Sequence, residues 1–202
     1  MKTPLFRLSW LLALWGGAVA AAAAADLPRR LAPAGVPLLA AVLTAGSILL
    51  SLRAAWARRA WAAVPLRGLL AVHLVRFVGA YFLWLAAQGR LPRLFAERAG
   101  WGDIAAAAGA LLLLAAPEGA LFRRALALWS AVGVADLLLA VGTGGWLNRV
   151  HPGSMAEIAG FPLALVPLFA VPVLFTTHVV IARRLLGRGR SADLAGARPE
   201  AA

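Results

Sequence analysis

The chain has 202 residues, of which 62% are hydrophobic and 14% charged, with a mean hydropathy of +0.83 and a formal net charge of +12. That balance excludes an ordinary soluble domain and describes an integral membrane protein whose solvent is lipid. The absence of cysteine excludes disulfides, thiolate catalysis and cysteine-ligated metal or iron–sulfur centres.

A spanning helix needs about 20 apolar residues, and six segments qualify, so the sequence predicts an all-α, polytopic transmembrane helical bundle over residues 1–186. The first span, 8–25, follows Lys2 and Arg7 and ends in alanines. It reads either as a helix or as a cleaved signal peptide, which would leave five spans; an apolar run longer than the ~7–15 residues of a signal core favours the uncleaved helix. Residues 36–52 form the second span and 68–87 the third. The fourth, 103–116, reaches only about 21 Å at 1.5 Å per residue, short of the ~30 Å hydrocarbon core. Segment 89–101 before it reads as a short amphipathic piece on the outer leaflet, inserting Leu91, Leu94 and Phe95. After a tight turn at Pro117, Glu118 and Gly119 come 125–146 and 160–181, the latter broken by Pro162, Pro167 and Pro172. Pro167 and Pro172 free the carbonyls of Leu163 and Leu168 for other donors. Residues 187–202 read as a disordered, basic cytoplasmic tail.

Orientation follows from the basic residues, all but one of which are arginine. With the N-terminus inside, thirteen lie in inner segments and six in outer ones, which places both termini in the cytoplasm. Arginine dominance and abundant alanine read as the coding bias of a GC-rich bacterial genome, so the predicted address is a bacterial inner membrane. The arginines fall at the ends of apolar segments and no soluble domain carries a groove-reading element. The expected partners are therefore the bilayer and anionic headgroups of its inner leaflet, not nucleic acid. A homo-oligomer or a membrane-complex partner is compatible with the sequence.

Arg76 sits inside the third span, where a guanidinium costs roughly 2.5 kcal/mol or more unless it faces protein, a counter-ion or water. Counting 1.5 Å per residue from the inner ends puts His73 about 9 Å deep, Arg76 about 13 Å, Asp136 about 18 Å and His178 about 7 Å. Two pairs follow: Arg76 with Asp136 near the midplane, and His73 with His178 nearer the cytoplasm. The first is either a structural ion pair or part of a proton or anion path. The second is either a packed pair or a ligand set: haem b held by two imidazoles, or zinc held by His73, His178 and Asp136 for hydrolysis. His151 reads as solvated. Asp103 reads as the cap of the fourth helix or as part of an outer site. No phosphate-binding loop, nucleophile elbow, zinc-protease helix or dinucleotide fingerprint is present, so an enzyme is not indicated. The expected function is a small transporter or membrane-complex subunit built on a polar centre of His73, Arg76, Asp136 and His178. A redox or hydrolytic cofactor protein, or a structural assembly factor, is the alternative.

The run HLVRFVGAYFLWLAAQGRLPRLFAERAGWGD, residues 73–103, resembles a family of bacterial polytopic integral membrane proteins with a His-x-x-Arg-x-x-Gly helix and a Gly-Trp-Gly-Asp turn. The likeness continues through WSAVGVAD (129–136) and FAVPVLFTTHVVIARR (169–184), with Ser130 where asparagine is expected. It implies a membrane address and the importance of these residues, and no particular activity.

Overall fold

In a computed structural model the chain is described over residues 4–31 and 35–196, with side chains described as far as 187. Among the described residues the fold is all-α, and six helices are long and apolar enough to cross a membrane. In chain order these are α1 (Pro4–Ala24), α2 (Gly35–Arg53), a composite span Leu66–Ala87, α6 (Arg93–Ala115), α7 (Ala120–Val150) and a last span entering α8 (Val171–Gly196). Lipid leaves backbone groups no partner but each other, which is why these six long apolar runs resolve into helix.

Several expectations are corrected. The fourth helix does not begin at 103: α6 runs from Arg93 and reaches a spanning length. Residues 93–101 are its first turns, and Leu91 and Phe95 are buried in the core, not inserted in a leaflet. Gly100 and Gly102 do not end the helix, because in an apolar medium its hydrogen bonds outweigh their low propensity. Pro162 lies in a turn-rich stretch ahead of the last helix, and the Leu163 carbonyl is satisfied by the Val166 N–H at 2.9 Å. The last span opens with a π-helical turn, Val166–Ala170, and α8 continues to Gly196, past residue 186 where the tail was expected to start. The end of that tail, 197–202, lies outside the described residues.

The third span is divided into α4 (Leu66–Val72), a 3₁₀ segment (His73–Val78) and α5 (Gly79–Ala87). A 3₁₀ helix has three residues per turn, so side chains at i and i+3 stack in line. His73, Arg76 and Gly79 therefore fall on one edge, which gives the three-residue spacing of that motif a geometric reason. Along this span the polar edge lies between two apolar clusters. One gathers Leu69, Leu70, Leu126 and Ile181 with Leu8, Ala60 and Trp61; the other gathers Phe82, Leu85, Phe95, Leu147 and Met155.

A short helix not foreseen from the sequence, α3 (Ala55–Ala63), packs Ala57, Ala60 and Trp61 inward and leaves Arg58 and Arg59 exposed. Three arginines close helix C-termini, where carbonyls lack partners. Arg58 donates to the Arg53 carbonyl at 2.7 Å, Arg67 to the Leu114 and Ala116 carbonyls, and Arg184 to the Trp61 and Val64 carbonyls at 2.6 Å each. Ser47 ties α2 to α8: its Oγ lies 3.0 Å from Thr176 Oγ1, whose single hydrogen is shared between that contact and the Pro172 carbonyl at 2.9 Å.

Candidate functional site

Arg76 is 1% exposed and is held by two carboxylates from two helices. Its Nε donates to Asp103 Oδ1 at 2.7 Å, one terminal nitrogen donates to Asp136 Oδ2, and the other reaches the Gly133 carbonyl at 3.5 Å. The expected Arg76 to Asp136 pairing is thus present with a second carboxylate added. Asp103 is not a cap: it lies well inside α6, 6% exposed, and belongs to this charged triad. Charged hydrogen bonds in a low dielectric are strong, and a guanidinium presents the fork of donors such a double grip needs.

Four glycines make the centre possible. A Cβ on Gly102 would strike the Asp136 carboxylate, and one on Gly100 would come 2.8 Å from the Gly79 carbonyl, so α6 lies close against both α5 and α7. On α7, a Cβ on Gly133 would sit 2.8 Å from His178 Cε1 and 3.4 Å from Arg76 Nη1. Close approach bought by small residues is how membrane helices pack. The Gly-Trp-Gly-Asp sequence is therefore a helical docking face, with Asp103 as its charge.

His73 and His178 are also brought together, with ring centres 4.5 Å apart and planes inclined at 57°, and Trp129 lies edge-on to His73 at 4.7 Å. Thr177 Oγ1 gives its hydrogen to the Leu174 carbonyl at 2.7 Å, so it must accept from His73 Nε2–H at 2.9 Å. In the neutral ring His73 Nδ1 is then an unprotonated lone pair, buried without a partner. His178 Nδ1 meets Ser130 Oγ at 2.9 Å, and its Nε2 is likewise buried without a partner. Ser130, where the resemblance led us to expect asparagine, thus keeps a polar role through its hydroxyl.

This arrangement does not fit the haem expectation. Imidazoles in direct contact leave no room for a porphyrin plane between them, and His73 Nε2 is committed to Thr177. The zinc expectation needs Asp136 as third ligand, but Arg76 holds that carboxylate, and among the described residues no group of three or more potential ligands assembles. His151 lies exposed beyond the end of α7, away from the centre.

A cavity of about 1020 Å³ opens between α1, α2, α7 and the turns leading into α8, and Arg76 and Asp103 form part of its wall. Its other polar residues, Arg29 and Asn148, lie toward the far end of α7, and the remaining lining is almost wholly apolar. The triad is therefore not sealed in the protein interior but borders a chamber of ligand-binding size.

The sequence signal for Arg76, Asp136, His73 and His178 was charge or polarity inside apolar runs. Asp103 carried the same signal but was masked by its flanking glycines. Thr177 carried none, since hydroxyls are common in membrane helices, and Ser130 was marked only by the resemblance. No curated protein and no solved structure matches the chain. Residues 33–186, which contain every residue of this polar centre, match the family described as Domain of unknown function (DUF8737), and the chain belongs to that family.

Proposed function

We propose that this is a multi-pass protein of a bacterial inner membrane with both termini in the cytoplasm, and that Arg76, Asp103 and Asp136 are the ion-exchanging element of a small transporter. One observation carries the reading: two carboxylates share one guanidinium on the wall of a large cavity. Three ionised groups of this kind cannot cancel. The centre balances when one more positive charge joins it, and a proton is the simplest candidate. A purely structural pair would more simply be one acid and one base, away from any cavity.

The topology rests on the excess of basic residues at one end of the helices, thirteen against six. The arginine-capped ends of α2, α3 and α6 belong to that end, and the exposed Arg58 and Arg59 of α3 face anionic headgroups there. A structural or complex-assembly role is the second reading, favoured by the near-complete burial of Arg76.

Infrared difference spectroscopy of the purified protein, titrated over the pH range in which it stays folded, separates the two. The transporter reading expects one carboxyl group per chain that gains and loses its proton reversibly, with the signal lost in Asp103→Asn or Asp136→Asn. A centre with no titrating carboxyl over that range overturns the exchange reading and leaves the structural one.

A further inference from the structure

The cavity beside the triad has a chemistry of its own. Gly17 of α1 and Gly145 of α7 both line it, and a Cβ on either would find no heavy atom within 4 Å. Facing small residues usually let membrane helices close on one another. Here the helices stand apart and the small residues enlarge a chamber instead. Phe82, Phe95 and Phe169 contribute aromatic surface to its wall.

The charge of the lining is equally specific. Arg29 at the far end is balanced by Asp26 at 3.2 Å, so that pair adds no net charge. Arg76 is shared between Asp103 and Asp136, and of these two carboxylates only Asp103 borders the cavity. With both ionised the lining region carries one uncompensated negative charge. An anionic amphiphile would add to that excess, and an uncharged lipid would leave it unanswered. A molecule that answers it has an apolar body for the walls, one positive charge for Asp103, and a cation the phenylalanine faces can stabilise.

We infer that the cavity binds amphipathic organic monocations, and that a bound cation replaces the proton at the triad. The inference deepens the ion-exchange reading of the same centre and rests on it. The exchange balances: the carboxylic O–H bond breaks, its proton passes to water, and the incoming cation takes over the charge, with nothing oxidised or reduced. The charged and titratable groups around Asp103 are Arg76 from the 3₁₀ segment, Asp136 from α7 and, behind them, His73 and His178.

The test uses the purified full chain in detergent with tetraphenylphosphonium as probe and tetraphenylborate as a size-matched anion. Equilibrium dialysis is expected to show saturable binding of about one phosphonium per chain, with one proton released to a weakly buffered medium. Asp103→Asn should weaken binding at least tenfold. Gly145→Phe, which narrows the chamber without touching the triad, should weaken binding and leave the titrating carboxyl signal intact. That second variant keeps the test informative if Asp103→Asn misfolds. Equal binding of the borate, or phosphonium binding unchanged in Gly145→Phe, overturns the cation site. A titrating carboxyl that no phosphonium displaces refutes the cation site alone, whereas a centre with no titrating carboxyl refutes the exchange reading beneath it.

Discussion

Replacing Asp103 and Asp136 by asparagine, singly and together, measures how the polar centre holds its charge. Each carboxylate alone still gives Arg76 a counter-ion, and each single substitution also removes the excess negative charge. Losing one charge-assisted hydrogen bond is worth about 1.5–3 kcal/mol, and relief of repulsion between the carboxylates offsets part of it. Each single variant should therefore lose only about 1–2 kcal/mol. The double variant leaves a guanidinium that is 1% exposed with no counter-ion. Breaking a buried pair that way costs about 3–5 kcal/mol, so the double variant should fall below the sum of the singles by about 1 kcal/mol. A triple variant that also carries Arg76→Met should recover most of the loss, because an apolar side chain of similar length needs no counter-ion. Unfolding in mixed micelles by sodium dodecyl sulfate, followed by tryptophan fluorescence, gives the stabilities of the parent and the four variants on one scale. Additive singles, or a triple variant no more stable than the double, would refute the shared-counter-ion argument.

Gly133→Ala places a methyl 2.8 Å from His178 Cε1; the ring must shift from Ser130, and a loss of about 1–3 kcal/mol is expected in the same unfolding assay. Thr177→Val removes the acceptor for His73 Nε2–H and should cost about 1–3 kcal/mol, while ¹⁵N spectra of the parent protein should show His73 Nδ1 as the unprotonated nitrogen. A visible spectrum of the protein purified from haem-replete cells should lack a stoichiometric Soret band, since the two rings admit no porphyrin. Because the chain has no cysteine, single cysteines at the exposed Gly119 and His151 can be labelled with an impermeant maleimide in intact cells; only His151→Cys should react from outside.

Much of this centre could be read from the chain because lipid makes the rules severe. A charge such as Arg76 or Asp136 inside an apolar run must find a partner, and depth counting along rigid helices restricts which one. The same severity hid Asp103. Its neighbours Gly100 and Gly102 look like helix breakers by solution propensity, yet in the fold they are the contact points that let α6 lie against Gly79 and Asp136. Propensity describes a helix alone, and these glycines are explained only by what is packed on them. The winding of residues 73–78 shows the same limit: three-residue spacing is visible in the sequence, but the 3₁₀ turn that lines up His73, Arg76 and Gly79 needs α6 and α7 in place.

Composition and apolar length by themselves pointed to an all-α protein with six candidate spans, because a continuous apolar run of about 20 residues satisfies its backbone hydrogen bonds in hydrocarbon within its own helix, whereas barrel strands are short and alternate. The tertiary structure alone decided that Asp103 joins Arg76, that Ser130 and Thr177 fix the two imidazoles, and that a chamber borders the triad. Those outcomes depend on the distance between helices, which side-chain volumes on opposing faces set together and no single segment encodes.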